Sequence, residues 1–324
     1  MSGAVYYMTT YLIRRAFVTL GVLYLIATLA FFFPRLLPGD PVLLLLGEAG
    51  STASEETIIA LRQKLGLDKP IAKQYATWLI DIVHGNFGES LFGYGQIQKL
   101  LFSRLPNSLE LILFSLALAC LLAIPSGILA AYFRRSKIDL AVNLLSTVGI
   151  AVPVYVLAVI LILIFALKLR YFPAGGYIAL GSNPIEHFKY LLLPVFTLAL
   201  NQWALFARMT RSSVLEVLHE GYIQTARAKG LAESKVVMQH ALRNALIPIV
   251  TLIGLQIGRL LGATVLVESI FNWPGISSLL LESATRRDYP IIQALLVVIG
   301  ALVCLINYVV DITYGLLDPR IRYD

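Results

Sequence analysis

The sequence predicts an all-α integral membrane protein with six transmembrane helices and both termini in the cytoplasm. Three observations carry this. The 324-residue chain is 58% hydrophobic and 14% charged, whereas soluble globular domains are about 25% charged. Six windows hold the roughly 20 apolar residues that a helix needs to cross a bilayer core: 12–33, 107–133, 140–168, 190–208, 247–268 and 291–317. The cations between these windows gather on one side, as they do in cytoplasmic loops.

The inner side collects Arg14 and Arg15, then Arg134, Arg135 and Lys137, the basic segment from Arg208 to Arg243, and finally Arg320 and Arg322. The opposite orientation keeps only Lys168, Arg170, Lys189, Arg286 and Arg287 in the short inner loops. The loop 35–105 is neutral, with seven basic and seven acidic side chains, and long loops cross largely regardless of charge. The net charge of +7 therefore marks loop topology rather than nucleic-acid binding. Arg14 and Arg15 precede an apolar run, Ala16 to Phe33, with no small-residue cleavage site after it, so that run reads as a retained first span.

Loop 35–105 is extracytoplasmic in this reading and partly helical. "SEETIIALRQKLGL" opens on Ser54 as an N-cap and stops at Gly66, and "KPIAKQYATWLIDIVHG" starts near Pro70 and ends at Gly85. Pro125, Pro153 and Pro194 kink spans or fall near their ends, where neighbouring groups satisfy the freed carbonyls. Gly254, Gly258 and Gly262 recur every four residues in the fifth span, which lets another backbone approach or provides a hinge. The segment 268–290 is too polar at its end to be a further crossing. It reads as an extracytoplasmic re-entrant or interfacial element, and an outer gate, that includes Glu268, breaks at Pro274 and Gly275 and is anchored at headgroup level by Trp273.

Several kinds of chemistry are missing. No G-x-x-x-x-G-K-[ST] run is present to cradle nucleotide phosphates, and no H-E-x-x-H or G-x-S-x-G run either. The chain reads as a non-enzyme whose energy source lies elsewhere. Cys120 and Cys304 sit far apart in apolar runs and give neither a disulfide framework nor a metal site. His84, His187, His219 and His240 are scattered over three loops and read as surface histidines.

The cytoplasmic segment 209–246 holds "GYIQTARAKGLAESKVVMQHALRNALIP". Gly221 to Lys229 fits a short amphipathic helix, Gly230 ends it with left-handed angles, and Ala232 to Asn244 restarts it before Pro248 opens the next span. Ala226 and Ala228 keep the first helix slim, while Arg227 and Lys229 give it charge. Such a knob suits a groove on a soluble partner, although a short cationic helix also suits anionic headgroups.

Within the spans, Arg259 lies about 18 Å above Ile247 at 1.5 Å per residue, near the midplane. A central Arg costs roughly 2.5 to 3.5 kcal/mol on insertion scales. It therefore requires an ion-pair partner such as Asp311 or an acid of another subunit, or a watery cavity in which it meets a substrate carboxylate. Asn201, Gln202 and Asn307 either line that cavity or bridge helices by hydrogen bonds.

At this point the residues resemble a family. Gln224, Thr225, Ala226 and Gly230 occupy positions of the EAA loop of ABC importer permeases, and "TARAKGL" followed by "HALRNALIP" resembles the peptide/nickel-type branch. "LPGDP", "GLDKPIAKQYATWL", "RLPNSLEL", "ESIFNWPG", "RDYP" and "LLDPRIRY" look like that branch too, so the resemblance runs from about Tyr11 to Tyr323. Gln224 and Thr225 stand where the general pattern has Glu and Ala, and "HALR" replaces its usual ending; this variant is usual in the peptide branch.

The resemblance implies a type I ABC importer permease fold and a multi-pass subunit of the cell (inner) membrane. It implies a heterodimer with a sister permease, two ATPase subunits and an extracytoplasmic binding protein. ATP and magnesium would reside in the partner ATPases, with no cofactor in this chain. The long first outer loop resembles the B-type subunit of a dipeptide or oligopeptide permease. By the same analogy Tyr222, Gln224, Thr225, Ala226, Arg227, Ala228, Lys229 and Gly230 form a coupling element that docks on an ATPase subunit and, through Pro248, tilts the fifth span. The cargo implied is a peptide, with oligosaccharides or nickel complexes as alternatives. A self-contained ion-driven carrier using Arg259 and Asp311 is a reading of another class, and a membrane-embedded hydrolase lacks a nucleophile and base at recognisable spacing.

Overall fold

The computed structural model describes residues 2–36, 41–46, 54–64 and 66–317. "LPGDP" and "LLDPRIRY" lie largely outside them, as do Arg320 and Arg322. In chain order the helices are α1 (Ser2–Leu36), α2 (Pro41–Leu46), α3 (Glu55–Lys64), α4 (Ile71–Val83), α5 (Ile97–Tyr132), α6 (Lys137–Ala151) and α7 (Val154–Leu161). They continue with α8 (Pro184–Val217), α9 (Gly221–Ala228), α10 (Glu233–Lys235), α11 (Leu242–Ala245), α12 (Ile247–Ile270), α13 (Ile276–Arg286) and α14 (Tyr289–Leu317). Wider π turns follow α7 at Ile162–Lys168 and join α10 to α11 at Val236–Ala241. Among the described residues the only strand-like pairing is the antiparallel bridge of Glu89 with Gln96.

Among the described residues five helices are long and apolar enough to cross a membrane, namely α1, α5, α8, α12 and α14, and α6 with α7 makes up to six if that pair counts as one span. Here the structure departs from the expectation of a helix over 140–168. The pair is bent by 103°. Pro153 has no N–H to continue the ladder, and it pushes Val152 out of the helical region, to φ −78° and ψ 121°. Other helices outrun their apolar windows. α8 has 34 residues, about 51 Å at 1.5 Å per residue, against a hydrocarbon core of about 30 Å. Its extra turns bury Thr210, Ser213 and Val214, so packing carries the helix on where hydropathy no longer does.

The chain falls into two compact units. One comprises residues 1–106 and 278–305, the other 107–277 and 306–324. In the first, α4 lies against the end of α1. Phe31 is buried, with ring centroids 5.1 Å from Tyr75 and 5.3 Å from Trp78. The Arg35 guanidinium sits 3.5 Å above the Phe31 ring and donates to Gln74 Oε1 at 2.9 Å. Ser54 Oγ accepts the Thr57 N–H at 3.3 Å, and Gly66 and Gly85 take positive φ at the ends of their helices. The loop after α4 is tied by Ser90 Oγ, which donates to the buried Asp288 carboxylate, and by the Tyr94 hydroxyl, which donates to Glu282 Oε1 at 2.6 Å.

In the second unit α8 is the central helix and packs against α6, α7, α11 and α12. At one end of it, Arg211 Nη2 donates to Asp139 Oδ2 at 2.9 Å, and Arg211 Nε donates to Asp139 Oδ1. The same carboxylate accepts the Arg135 N–H at 2.9 Å and the Asn143 amide at 2.6 Å. Arg135 takes φ 65° there, an unfavourable conformation for a non-glycine residue that this hydrogen bond helps to hold. In α12 the glycine face is only partly used within the chain. A Cβ on Gly254 would collide with Val310, whereas one on Gly262 would meet no other described residue within 4 Å.

Candidate functional site

The segment after α8 forms a small two-helix knob. α8 ends in a tight turn, α9 runs for eight residues, and Gly230 closes it at φ 77° with its N–H bonded to Arg227 O at 2.9 Å. That conformation favours glycine. The chain restarts at α10, and Leu246 to Pro248 lead into α12.

What fixes α9 is its inner face. Ile223 is 0% exposed and Ala226 8%, and they pack with Ala131, Val214, Leu218, Val236, Val237, Ala241 and Ala245. The place of Ala226 therefore corrects the expectation of a partner contact. It is small because the knob closes over it, and it belongs to the core. The outer face carries Tyr222, Gln224, Thr225, Arg227, Ala228 and Lys229, all exposed.

Polar bonds brace this outer face. Asn244 Nδ2 donates to the Tyr222 hydroxyl at 2.7 Å, which ties α9 to α11. Arg227 Nε donates to Glu233 Oε2 at 3.0 Å across the Gly230 turn, and its Nη1 reaches Leu218 O at 3.3 Å. The Arg227 guanidinium holds the Glu233 carboxyl below the usual carboxylate range, and Glu233 holds Arg227 above its ordinary value. A depressed acid contributes stability that is complete at neutral pH and is lost as pH falls through that lowered value. The pair is about two-fifths exposed, so it is worth under about 1 kcal/mol. Gln224, Ala228 and Lys229 make no side-chain bond among the described residues and remain free for a partner.

The element after α12 is a buried clamp. Glu268 and Trp273 are 0% and 1% exposed, so Trp273 is not the headgroup anchor expected from its type. Its ring lies 4.9 Å from Tyr177 and 5.8 Å from His187, and its Nε1–H donates to Asn107 O at 3.0 Å. Asn107 Nδ2 donates to Pro274 O at 2.9 Å, Ser108 Oγ donates to Glu268 Oε1 at 2.7 Å, and the Ile276 N–H donates back to Ser108 Oγ at 2.8 Å. The turn is thus stapled to α5. A Cβ on Gly275 would fall inside the Glu268 carboxyl group. Gly275→Ala is expected to destabilise the solubilised protein by about 1–3 kcal/mol, the range for overpacking; an unchanged thermal melt would contradict this packing.

His187 is also a correction, because it is fully buried. Its Nε2 lies 2.8 Å from Glu110 Oε1 and its Nδ1 2.6 Å from Ile178 O. The signal was available, since a lone Glu110 in an apolar run calls for a buried partner.

Of the expected pathway residues, Asn201 and Gln202 line one cavity on α8. Arg259 is exposed on α12, and no hydrogen bond or ion pair joins it to Asp311 among the described residues, which removes that pairing from the choices. Asn201 Nδ2 donates to Gly149 O at 3.2 Å and so bridges α8 to α6. Gln202 is 7% exposed, and its side-chain oxygen has no hydrogen-bond partner among the described residues. Asn307 is half-buried on α14 and makes no hydrogen bond among the described residues.

The family model described as "Binding-protein-dependent transport system inner membrane component" matches residues 123–323, and the model of the N-terminal part of such components matches residues 8–111. The chain belongs to this family. As an inner membrane component it is a multi-pass membrane protein, and its apolar helices fit that place. It is 41% identical to the oligopeptide transport system permease protein AppB of Bacillus subtilis (strain 168), over 98% of this chain and 100% of that protein. It is 40% identical to the probable peptide ABC transporter permease protein y4tP of Sinorhizobium fredii (strain NBRC 101917 / NGR234), with the same coverage. Among solved structures, inward-facing MetNI methionine ABC transporter matches at a TM-score of 0.55 and 19% identity, covering 68% of this component and 96% of the matched chain. That likeness establishes a shared fold.

Two structural residues of this inner membrane component are inconspicuous in the sequence. Asp139 and Arg211 are 72 residues apart and no spacing links them, although Ser136 with Asp139 has the S-x-x-D form of a helix start. Ile223 is one of many isoleucines, and only the folding of α9 back onto α8 singles it out.

Proposed function

We propose that the protein is the permease subunit of an ATP-driven importer of peptides, handed over by an extracytoplasmic binding protein. It forms the pathway together with a sister permease, and two ATPase subunits supply the work. Both termini and the α9 knob lie in the cytoplasm, and loop 35–105 and the clamp at Glu268 to Gly275 lie outside. ATP and magnesium belong to the ATPases, since this sequence has no phosphate-binding run.

The observation that carries this reading is the build of α9. A docking element must be rigid toward its own chain and open toward its partner. Ile223 and Ala226 lock one side of the helix, while Gln224, Ala228 and Lys229 stand free on the other. Peptide as cargo draws on the relatives AppB and y4tP, whose names carry that substrate. Arg259 is exposed and makes no hydrogen bond or ion pair among the described residues; in this reading it meets an acid of the sister subunit or a peptide carboxylate.

The test is reconstitution in liposomes with all partners. Peptide uptake requires ATP and the binding protein, and this chain alone is inert. Uptake by the chain alone under an ion gradient would favour the carrier reading. Lys229→Glu reverses the charge at the proposed contact and should lower ATP-coupled uptake at least about fivefold, because mispaired interface charge costs several kcal/mol. Unchanged uptake assigns Lys229 to lipid headgroups instead.

A further inference from the structure

The break at Pro153 opens a cavity of about 360 Å³ within the second unit. Its walls are the break itself, from Ile150 to Val154, the α8 face bearing Asn201 and Gln202, and Leu260 and Ala263 of α12. Apart from Asn201 and Gln202 its lining side chains are apolar, and the size falls within the range of ligand sites.

Three features inside it are unsatisfied. The Gln202 side-chain oxygen is buried without a partner among the described residues, which is uncommon and calls for an explanation. α6 ends here, and the Ile150 and Ala151 carbonyls accept no bond from the described residues. α7 begins here, and Val156 and Leu157 donate to Pro153 O at 3.0 and 3.2 Å while the Val154 N–H has no partner among the described residues. Asn201 is already engaged by Gly149 O, so Gln202 is the free member of the pair. Broken helices whose cut ends line a cavity are a recurrent way of presenting backbone polarity to cargo within a membrane.

We propose that this break holds the main chain of a peptide in transit. Gln202 Oε1 accepts a peptide N–H, and the cut ends of α6 and α7 offer further carbonyl acceptors and the Val154 N–H donor. An amide presents one donor and one acceptor whatever its side chain, so the site recognises peptides without reading their sequence. This rests on the peptide-import reading above.

The experiment uses the assembled importer in liposomes with one short peptide and its versions N-methylated at a single backbone position. N-methylation removes a donor without changing charge. Discrimination by the binding protein is common to wild type and variant, so the ratio of the two penalties isolates the permease. Gln202→Met keeps length and burial but removes the acceptor. At one backbone position, N-methylation should slow wild-type uptake about tenfold more than it slows the variant, a factor equal to about 1.4 kcal/mol. Equal penalties at every position would overturn the proposal.

A second measurement stands if Gln202→Met fails to assemble. With Cys120 and Cys304 replaced by serine, Val152→Cys should react with a thiol reagent and be shielded severalfold by peptide during ATP turnover. No shielding overturns the proposal. If the wild-type importer transports another cargo and no peptide, the import reading itself fails, and that outcome is distinct from both.

Discussion

Ile223→Ala is expected to uncouple ATP hydrolysis from uptake. Ile223 is 0% exposed and is the larger of the two buried side chains with which α9 packs against the end of α8 and the segment 236–245. Truncating a buried isoleucine costs about 2–5 kcal/mol. Eight residues form a helix too short to persist alone in water, so most of that loss falls on the docking of the knob. The rest of the bundle has its own core and should still assemble. The measurement is the ratio of ATP hydrolysed to peptide imported. It should rise at least tenfold in the variant, with normal subunit recovery on purification. A normal ratio would show that α9 keeps its place without Ile223.

Asp139→Ala is expected to destabilise the second unit itself rather than the knob alone. Its carboxylate, 7% exposed as a side chain, accepts four hydrogen bonds from the described residues. Removing it strands the Arg211 guanidinium and frees Arg135 from the bond at its positive φ. Breaking a fully buried pair costs about 3–5 kcal/mol. Arg211 is 24% exposed, which lowers the expectation to about 2–4 kcal/mol because water takes up part of the charge. Thermal unfolding of the purified complex should show the loss. Asp139→Asn, which keeps an acceptor and the helix-start geometry, should recover part of it. Equal stability of wild type and Asp139→Ala would contradict this role.

Much of the architecture was legible because bilayer chemistry leaves few choices. Runs such as 247–268 have to be helices in lipid, and the structure places a helix over Ile247–Ile270. The knob was legible as well, since Gly230 and the alanines around it imply a short helix, a left-handed stop and a restart. What stayed hidden depends on contacts between distant residues. Trp273 resembles an interfacial anchor by type, and only its bond to Asn107 O shows it to be a wedge in a buried clamp. Ala226 looked like an open surface because alanine is equally at home on either face. The kink at Pro153 was readable but its 103° angle was not, because proline removes a hydrogen bond without setting the direction in which the chain then packs.

The most direct measurement is a cysteine scan along α9 in the assembled importer, against cysteines lining the groove of the ATPase subunit. Gln224→Cys and Ala228→Cys, on the free face, should cross-link to the groove, with yields that change when ATP binds. Ile223→Cys and Ala226→Cys, on the packed face, should not. No cross-link at any position from Tyr222 to Lys229, with the ATPase trapped instead by another loop of this chain, would contradict the role given to the knob.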